Sequence, residues 1–356
     1  MNPQYKKSRI LGYDVARALA VFGMVIVNYK VVMNAGGNGP DWLVWLAGLF
    51  NGRAAAIFVI LAGVGITMLS RKAVAAQDYA QIRQDRVTLL KRAAFLFVVG
   101  LLYTPLWPAD ILHFYGVYIA IAALLLTASN RQLWAGVMGL SGAFLLLVLL
   151  FDYEAGWDFA TLTYLDFWTV RGMLRHLFFN GFHPVIPWLA FVLIGMWLGR
   201  QDVRDGRVRR RLFWGGVLTA VIAETLSLIL TTLFTGEANI IFTTAPMPPM
   251  PLYIVAGAGT AIAIIMLSLE LTTRHPHGRL VAPLVATGQL ALTLYVAHVV
   301  IGMGVLEAMG RLENQTLPFA IVSALLFFII AVVFSHYWRK KFQRGPLEWV
   351  MRKMTG

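Results

Sequence analysis

About ten apolar stretches of roughly 17 to 25 residues follow one another along this chain, and Lys and Arg crowd into every second gap between them. A stretch that long and that poor in charge crosses the hydrocarbon of a bilayer as a helix, because a helix satisfies every backbone amide within its own segment. The expected spans are 12–33, 54–70, 88–106, 112–129, 134–151, 183–199, 212–234, 250–272, 283–308 and 317–338. The fold class that follows is all-α, a polytopic membrane helical bundle of about ten transmembrane helices. With 59% hydrophobic and 13% charged residues and a mean hydropathy of +0.70, the 356-residue chain is too apolar for soluble domains. It reads as a single transmembrane domain, 1–356.

The net charge of +13 would suggest nucleic acid in a soluble protein. Here the basic residues sit at helix ends and in short loops, so the charge reports topology, with the lipid bilayer as partner and no nucleic acid. Lys6, Lys7 and Arg9, then Arg71, Lys72, Arg83, Arg86, Lys91 and Arg92, all fall on one side. The run from Arg200 to Arg211 and the group Arg339, Lys340, Lys341 and Arg344 join them. The positive-inside rule then makes both termini cytoplasmic in a bacterial cytoplasmic (inner) membrane. The stretch behind the first charges is a full span without a small-residue cleavage pattern, so it is expected to remain as the first helix. On the other side, 152–182 begins acidic and is dense in Trp, Phe and Tyr, which suits an interfacial helix or re-entrant cap over the core. The four prolines of 245–251 exclude a helix there. No cysteine is present, which removes disulfides and thiolate chemistry.

A helix facing lipid should not carry ionisable groups, so those inside the spans mark where function is to be sought. On the first span Asp14 and Arg17 are three residues apart and Asn28 follows Arg17 after ten more, which at 100° per residue sets all three near one face. Arg17 and Asn28 then differ in depth by about 16 Å. Asp14 with Arg17 alone would serve as an interfacial ion pair. Adding Asn28, Lys30 and, at the start of the next span, Arg53 describes a lined cavity. A second group lies at the outer ends of spans four and six: Asp110 and His113 at i,i+3, followed by Tyr115, and His183 ahead of Pro184, with Trp188 a turn later. The carboxylate can orient the imidazole, and a helix N-terminus favours the neutral imidazole that a general base needs. Either His alone is as well explained as a structural residue.

Glu224 on span seven reads as interhelical glue, while His298, in ALTLYVAH with Thr293 and Tyr295, stays open between structure and function. His176, on the aromatic outer segment, and His275, His277 and His336, among basic residues, are expected to be solvated or interfacial. Gly257, Gly259 and Gly288 read as helix-packing positions. There is no HExxH, no Cys and no carboxylate cluster at ligand spacing, so no metal site is expected.

Several segments together resemble a known family. DVARALAVFGMVIVNY (14–29), FVILAGVGITMLSRK (58–72), RAAFLFVVGLL (92–102), HPVIPWLAFVLIGMWLGR (183–200) and GQLALTLYVAHVV (288–300) look like the heparan-alpha-glucosaminide N-acetyltransferases and their uncharacterised bacterial membrane relatives. PADILHFYG (108–116) and PMPPMPLY (246–253) are closer to the bacterial branch. The resemblance implies acyl transfer from cytosolic acetyl-CoA or another acyl-CoA, as donor substrate rather than tightly bound cofactor, to a sugar or glycan acceptor on the far side. It implies Arg17, supported by Arg92, on the CoA phosphates and Asn28 on the carbonyl or oxyanion, with Lys30, Arg53, Tyr115 and Trp188 as acceptor contacts. The related O-acetyltransferases carry His where this chain has Asn28. The sugar N-acetyltransferase has Asn there and supplies His from the next outer loop, yet here 29–53 holds no His. The base is then expected to be His113, oriented by Asp110, or His183. The competing reading is a transporter or flippase for a lipid, sugar or acyl-linked metabolite, which needs the same conduit without the chemistry, and a membrane scaffold or sensor comes third. Self-association as a homodimer is compatible with either.

Overall fold

A computed structural model describes residues 9–356; Lys6 and Lys7, part of the first basic group, lie outside the described residues. The chain runs α1 Leu11–Val32, α2 Asp41–Gly48, α3 Arg53–Ala75, α4 Tyr79–Tyr103, α5 Leu112–Leu124 and α6 Asn130–Leu150. A two-stranded hairpin follows (β1 Trp157–Asp158, β2 Thr163–Tyr164), then α7 Val170–Arg175, which passes into a π-helical turn His176–Asn180, and α8 Val185–Leu198. The rest is α9 Gly206–Leu233, a 3-10 turn Gly236–Phe242, α10 Pro251–Arg274, α11 Val281–Gln289, α12 Ala291–Ala297, a second π-helical turn His298–Met303, α13 Gly304–Ala308, α14 Leu317–Lys341 and α15 Pro346–Thr355. Helix starts are locally encoded. Ser129 and Gln132 close a capping box on α6, and Asp78, Asp205 and Thr316 cap α4, α9 and α14.

Helix occurs at all ten expected places, but among the described residues seven helices are long and apolar enough to cross a membrane, or eight if the pair 170–180 and 185–198, bent by 48°, counts as one span. The count of about ten therefore does not carry over. α4 falls short because Asp85, Arg86, Lys91 and Arg92 occupy its first half, and α5 because it has 13 residues. Span 283–308 is also not one rod: it breaks at Leu290 between α11 and α12.

Packing sorts the helices into two shells. The apolar windows of α1 and α10 are 61% buried, whereas those of α6 and α9 are 17% buried and that of α14 22%. An apolar helix with so little buried surface is stable when lipid covers the remainder. α1 is central, packing on α3, α10, α11 and α14, while α3 crosses α8. Close backbone approach makes this possible: a Cβ at Gly63 would lie 2.1 Å from the Val192 carbonyl oxygen, and one at Gly288 would lie 1.8 Å from that of Asp14. Segment 152–182 forms a compact cap rather than a free loop. Asn180 ties it together, its Nδ2 donating to the carbonyls of Tyr153 and Ala155 at 2.8 Å while its own Oδ1 accepts from Tyr164.

Candidate functional site

The polar face of α1 borders two separate cavities at opposite ends of the bundle. At the end where the basic segments gather, Asp14 takes Arg9 at 2.6 Å and Arg17 at 2.9 Å, so one buried carboxylate serves two guanidinium groups. The hydrogen bond to Asp14 raises the pKa of Arg9 above its ordinary value. Arg17 also donates to the Gly288 carbonyl at 3.4 Å, where α11 meets α1. A cavity of about 360 Å³ opens here, bordered by Arg9, Arg17, Arg71, Lys72 and Arg204 with Asp14 as its acid. It shares Arg71 and Arg204 with a neighbouring cavity of about 730 Å³ that also reaches Arg200 and Ser129. The arrangement is a cationic mouth with an apolar inner wall of Leu61, Val64 and Met68 from α3. Arg92 lies elsewhere, in a separate cavity that also touches Arg9.

The opposite cavity, about 330 Å³, is mainly apolar and carries a few convergent polar groups: Asn28, Lys30, Asn51, His183, Trp188 and Tyr295. Leu162 and Phe182 of the cap and Pro246 and Met247 of the proline-rich segment close it. Lys30 is buried and donates to Asn51 Oδ1 at 2.5 Å. His183 packs edge-on against Trp188 at 4.6 Å, and His183 Nδ1 and Trp188 Nε1 are both buried without a hydrogen-bond partner among the described residues. Two such groups beside a cavity are what a polar ligand would satisfy.

Asn28 does not stand alone. Its Nδ2 lies 2.8 Å from His298 Nε2, and His298 Nδ1 faces the carbonyl oxygen of Tyr295. A carbonyl only accepts, so Nδ1 carries the proton and Nε2 accepts from the Asn28 amide; the tautomer is fixed by the partner on the other side of the ring. The Tyr295 hydroxyl donates to Asp110 Oδ1 at 3.2 Å, and Asp110 Oδ2 receives His113 Nδ1 at 3.1 Å. His113 and Asp110 are therefore brought near Asn28 through Tyr295 but do not border the cavity; both are buried behind it. His113 Nε2 has no hydrogen-bond partner among the described residues, and its ring stacks on His176 at 5.7 Å between centroids.

Arg53 also stands behind the cavity wall. It pairs with Glu224 and donates to the Thr244 carbonyl at 3.3 Å, both through Nη2, and lies over the Tyr253 ring, while its Nη1 is buried without a hydrogen-bond partner among the described residues. Glu224, expected as glue, is one of its partners. Tyr115 borders neither cavity. It faces Phe58 at 5.6 Å, and Phe58 lies on α3 between Ala55, which touches one cavity, and Leu61, which touches the other. The two rings thus pack together at a level between the cavities.

Three residues of this region carry no clear functional signal in the sequence. His298 stood open because a lone imidazole in an apolar span has no visible partner, and its partner lies 270 positions away. His176 was expected at the surface among aromatics; it is 1% exposed, because the cap folds it inward onto His113. Asn51, at the end of a loop, gave no signal.

Fold and site together define a polytopic membrane protein with a cation-lined mouth at one end and, at the other, a cavity where Asn28 of α1 meets His298 of the second π-helical turn. Residues 9–242 match the family described as heparan-alpha-glucosaminide N-acetyltransferase, catalytic, which covers well over half of the chain, and the chain belongs to that family. The family is one of membrane acetyltransferases. Residues 197–356 match a family described as a protein of unknown function, DUF418. An uncharacterized 39.9 kDa protein from the amylase 3' region of Bacillus acidopullulyticus is 32% identical over 77 residues, 22% of each chain.

Proposed function

We propose that this protein transfers an acetyl or other acyl group from cytosolic acyl-CoA to the hydroxyl or amine of a sugar or glycan on the outer side of a bacterial cytoplasmic membrane. One observation carries the reading: a single face of α1 borders a cationic cavity at Arg17 and, eleven residues on, an Asn- and His-lined cavity at Asn28. The positive-inside rule supports the Arg17 end as cytoplasmic. Arg17, Arg71 and Lys72 hold the CoA phosphates by charge-assisted hydrogen bonds, and the pantetheine arm runs along Leu61 and Val64 toward Phe58 and Tyr115, which serve as a septum on this path. Arg92, which does not border this mouth, has no part in that site.

In the second cavity the acceptor oxygen or nitrogen attacks the thioester carbonyl. Its proton passes to the imidazole of His183, the C–S bond breaks as the tetrahedral intermediate collapses, and the CoA thiolate leaves and is protonated, giving the acylated acceptor and free CoA. The second N–H of Asn28, not used by His298, supports the oxyanion. Lys30 and Trp188 contact the acceptor, with Arg53 fixing the wall behind them.

The test is to incubate the purified protein in nanodiscs with radiolabelled acetyl-CoA and a glucosamine-terminated glycan, following label transfer and CoA release. Transfer in the native protein that disappears in His183→Ala with CoA binding retained is the expected result. Glycan passage into sealed proteoliposomes without label transfer would replace the enzyme by a transporter.

A further inference from the structure

The cavity that holds Arg92 belongs to neither half of the proposed reaction. Its volume is about 260 Å³, and it is walled by Arg9, Arg92, Arg344 and Arg352 together with Gln289 and Gln343. Glu348 is its acid, and that carboxylate is already occupied: Oε1 accepts from the amides of Leu292 and Thr293 at 2.8 and 3.1 Å, and Oε2 from the Thr293 hydroxyl at 2.5 Å. These bonds pin α15 to the start of α12. Arg9 has Asp14, but Arg92, Arg344 and Arg352 take part in no ion pair among the described residues. Arg92 Nε is buried without a hydrogen-bond partner among the described residues. Guanidinium groups gathered this closely repel one another, and a buried donor left unpaired is costly, so the arrangement is stable with an anion between them.

What lies beside the cavity identifies the anion. Gln343 and Arg344 are shared with a groove of about 740 Å³ whose walls are Trp338, Phe342, Pro346, Trp349 and Val350. The groove adjoins α14, whose outward face exposes Ile329, Ile330, Val333 and Phe334. Lys353 sits over the exposed Trp349 ring at 5.2 Å. An arginine seat continuous with an aromatic and aliphatic groove, at the end of a lipid-facing helix, matches a molecule with a phosphate head and apolar tails.

We infer that Arg92, Arg344 and Arg352 form a binding site for an anionic phospholipid of the leaflet at the basic end, its phosphate between the guanidinium groups and its chains along Phe342 and Trp349. The inference does not depend on acyl transfer.

Native mass spectrometry of the full chain, reconstituted in equal mixtures of phosphatidylglycerol and phosphatidylcholine, tests it. One phosphatidylglycerol per protein should be retained in at least tenfold preference, and the doubly substituted R92Q/R352Q protein should lose that preference while Arg83→Gln, on the far end of α4, keeps it. If R92Q/R352Q does not fold, the exposed Arg344→Gln alone should reduce the preference severalfold. Equal retention of both lipids, or an unaltered preference in these variants, overturns the site. So does displacement of phosphatidylglycerol by inorganic phosphate or CoA at micromolar concentration, which would make it a site for a soluble phosphate.

Discussion

Asn28 and His298, on helices far apart in sequence, share a hydrogen bond of 2.8 Å at the edge of the cavity, and the Tyr295 carbonyl behind the ring fixes which nitrogen accepts. The pair orients the Asn28 amide, leaving its second N–H and its oxygen for a ligand. In the proposed reaction His298 is a positioning residue. Asn28→Ala should lower kcat by about 100- to 1000-fold, the usual cost of removing an oxyanion donor. His298→Ala should lower kcat by about tenfold with KM for acetyl-CoA unchanged, and His298→Gln, which keeps an acceptor, should recover most of the loss. Equal damage from Ala and Gln would make His298 the base instead.

His183 and His113 separate by position. His183 borders the cavity and His113 is buried behind it on Asp110. His183→Ala should abolish transfer without changing stability by more than about 1 kcal/mol. Asp110→Ala should instead destabilise the fold by about 1–3 kcal/mol, because the Tyr295 hydroxyl, His113 Nδ1 and the His113 amide all lose their acceptor. Thermal unfolding in detergent beside an activity assay distinguishes the two; a stable, inactive Asp110→Ala would bring His113 back as the base.

Much of this was legible in the sequence, for a physical reason. Membrane helices announce themselves by length and apolarity, and the i,i+3 and i,i+11 spacings of α1 are local, so Asp14, Arg17 and Asn28 sit as a stripe as their spacing requires. What periodicity cannot carry is the pairing between distant helices. His298 to Asn28, Arg53 to Glu224 and the inward fold of His176 depend on which helix lies beside which, and no local rule sets that. The count of about ten is not confirmed where an apolar run is short, as in α5, or shares its helix with charges, as in α4.

Helix crossing at Gly288 sets the Asp14 and Arg17 end of the stripe, since that glycine abuts the Asp14 carbonyl and the Arg17 guanidinium reaches the Gly288 carbonyl. Gly288→Leu should force α11 off α1, destabilising the protein by about 1–3 kcal/mol or more and weakening CoA binding along with it. Gly65, whose Cβ position meets nothing within 4 Å, is the control: Gly65→Ala should leave stability unchanged or slightly raised. Unfolding midpoints of the two variants check this.

Arg17 holds Asp14 and faces the basic mouth with 28% of its side chain exposed. Removing one charge-assisted contact to a phosphate costs about 1.5–3 kcal/mol, so Arg17→Ala should weaken CoA binding by about 10- to 100-fold by isothermal titration, and Arg71→Ala by a similar factor. The affinity should also fall as salt rises, because several exposed cations contribute. Unchanged affinity in folded Arg17→Ala would remove the CoA phosphates from this mouth.

In the proposed reaction Phe58 and Tyr115, with ring centroids 5.6 Å apart, stand as a septum between the two cavities, and a thioester entering from the basic mouth meets the acceptor after these rings part. The septum then has a second effect: it keeps water in the mouth from following the pantetheine arm to the reacting carbonyl. Phe58→Ala should open a continuous passage, and in the absence of acceptor the release of CoA thiol from acetyl-CoA should rise severalfold above the native protein, while CoA affinity at the mouth stays the same. A thiol-reactive dye follows this without background, since the chain has no cysteine. Acceptor-independent release that does not change in Phe58→Ala would mean that the thioester takes another route, and the stripe on α1 would no longer connect donor to acceptor.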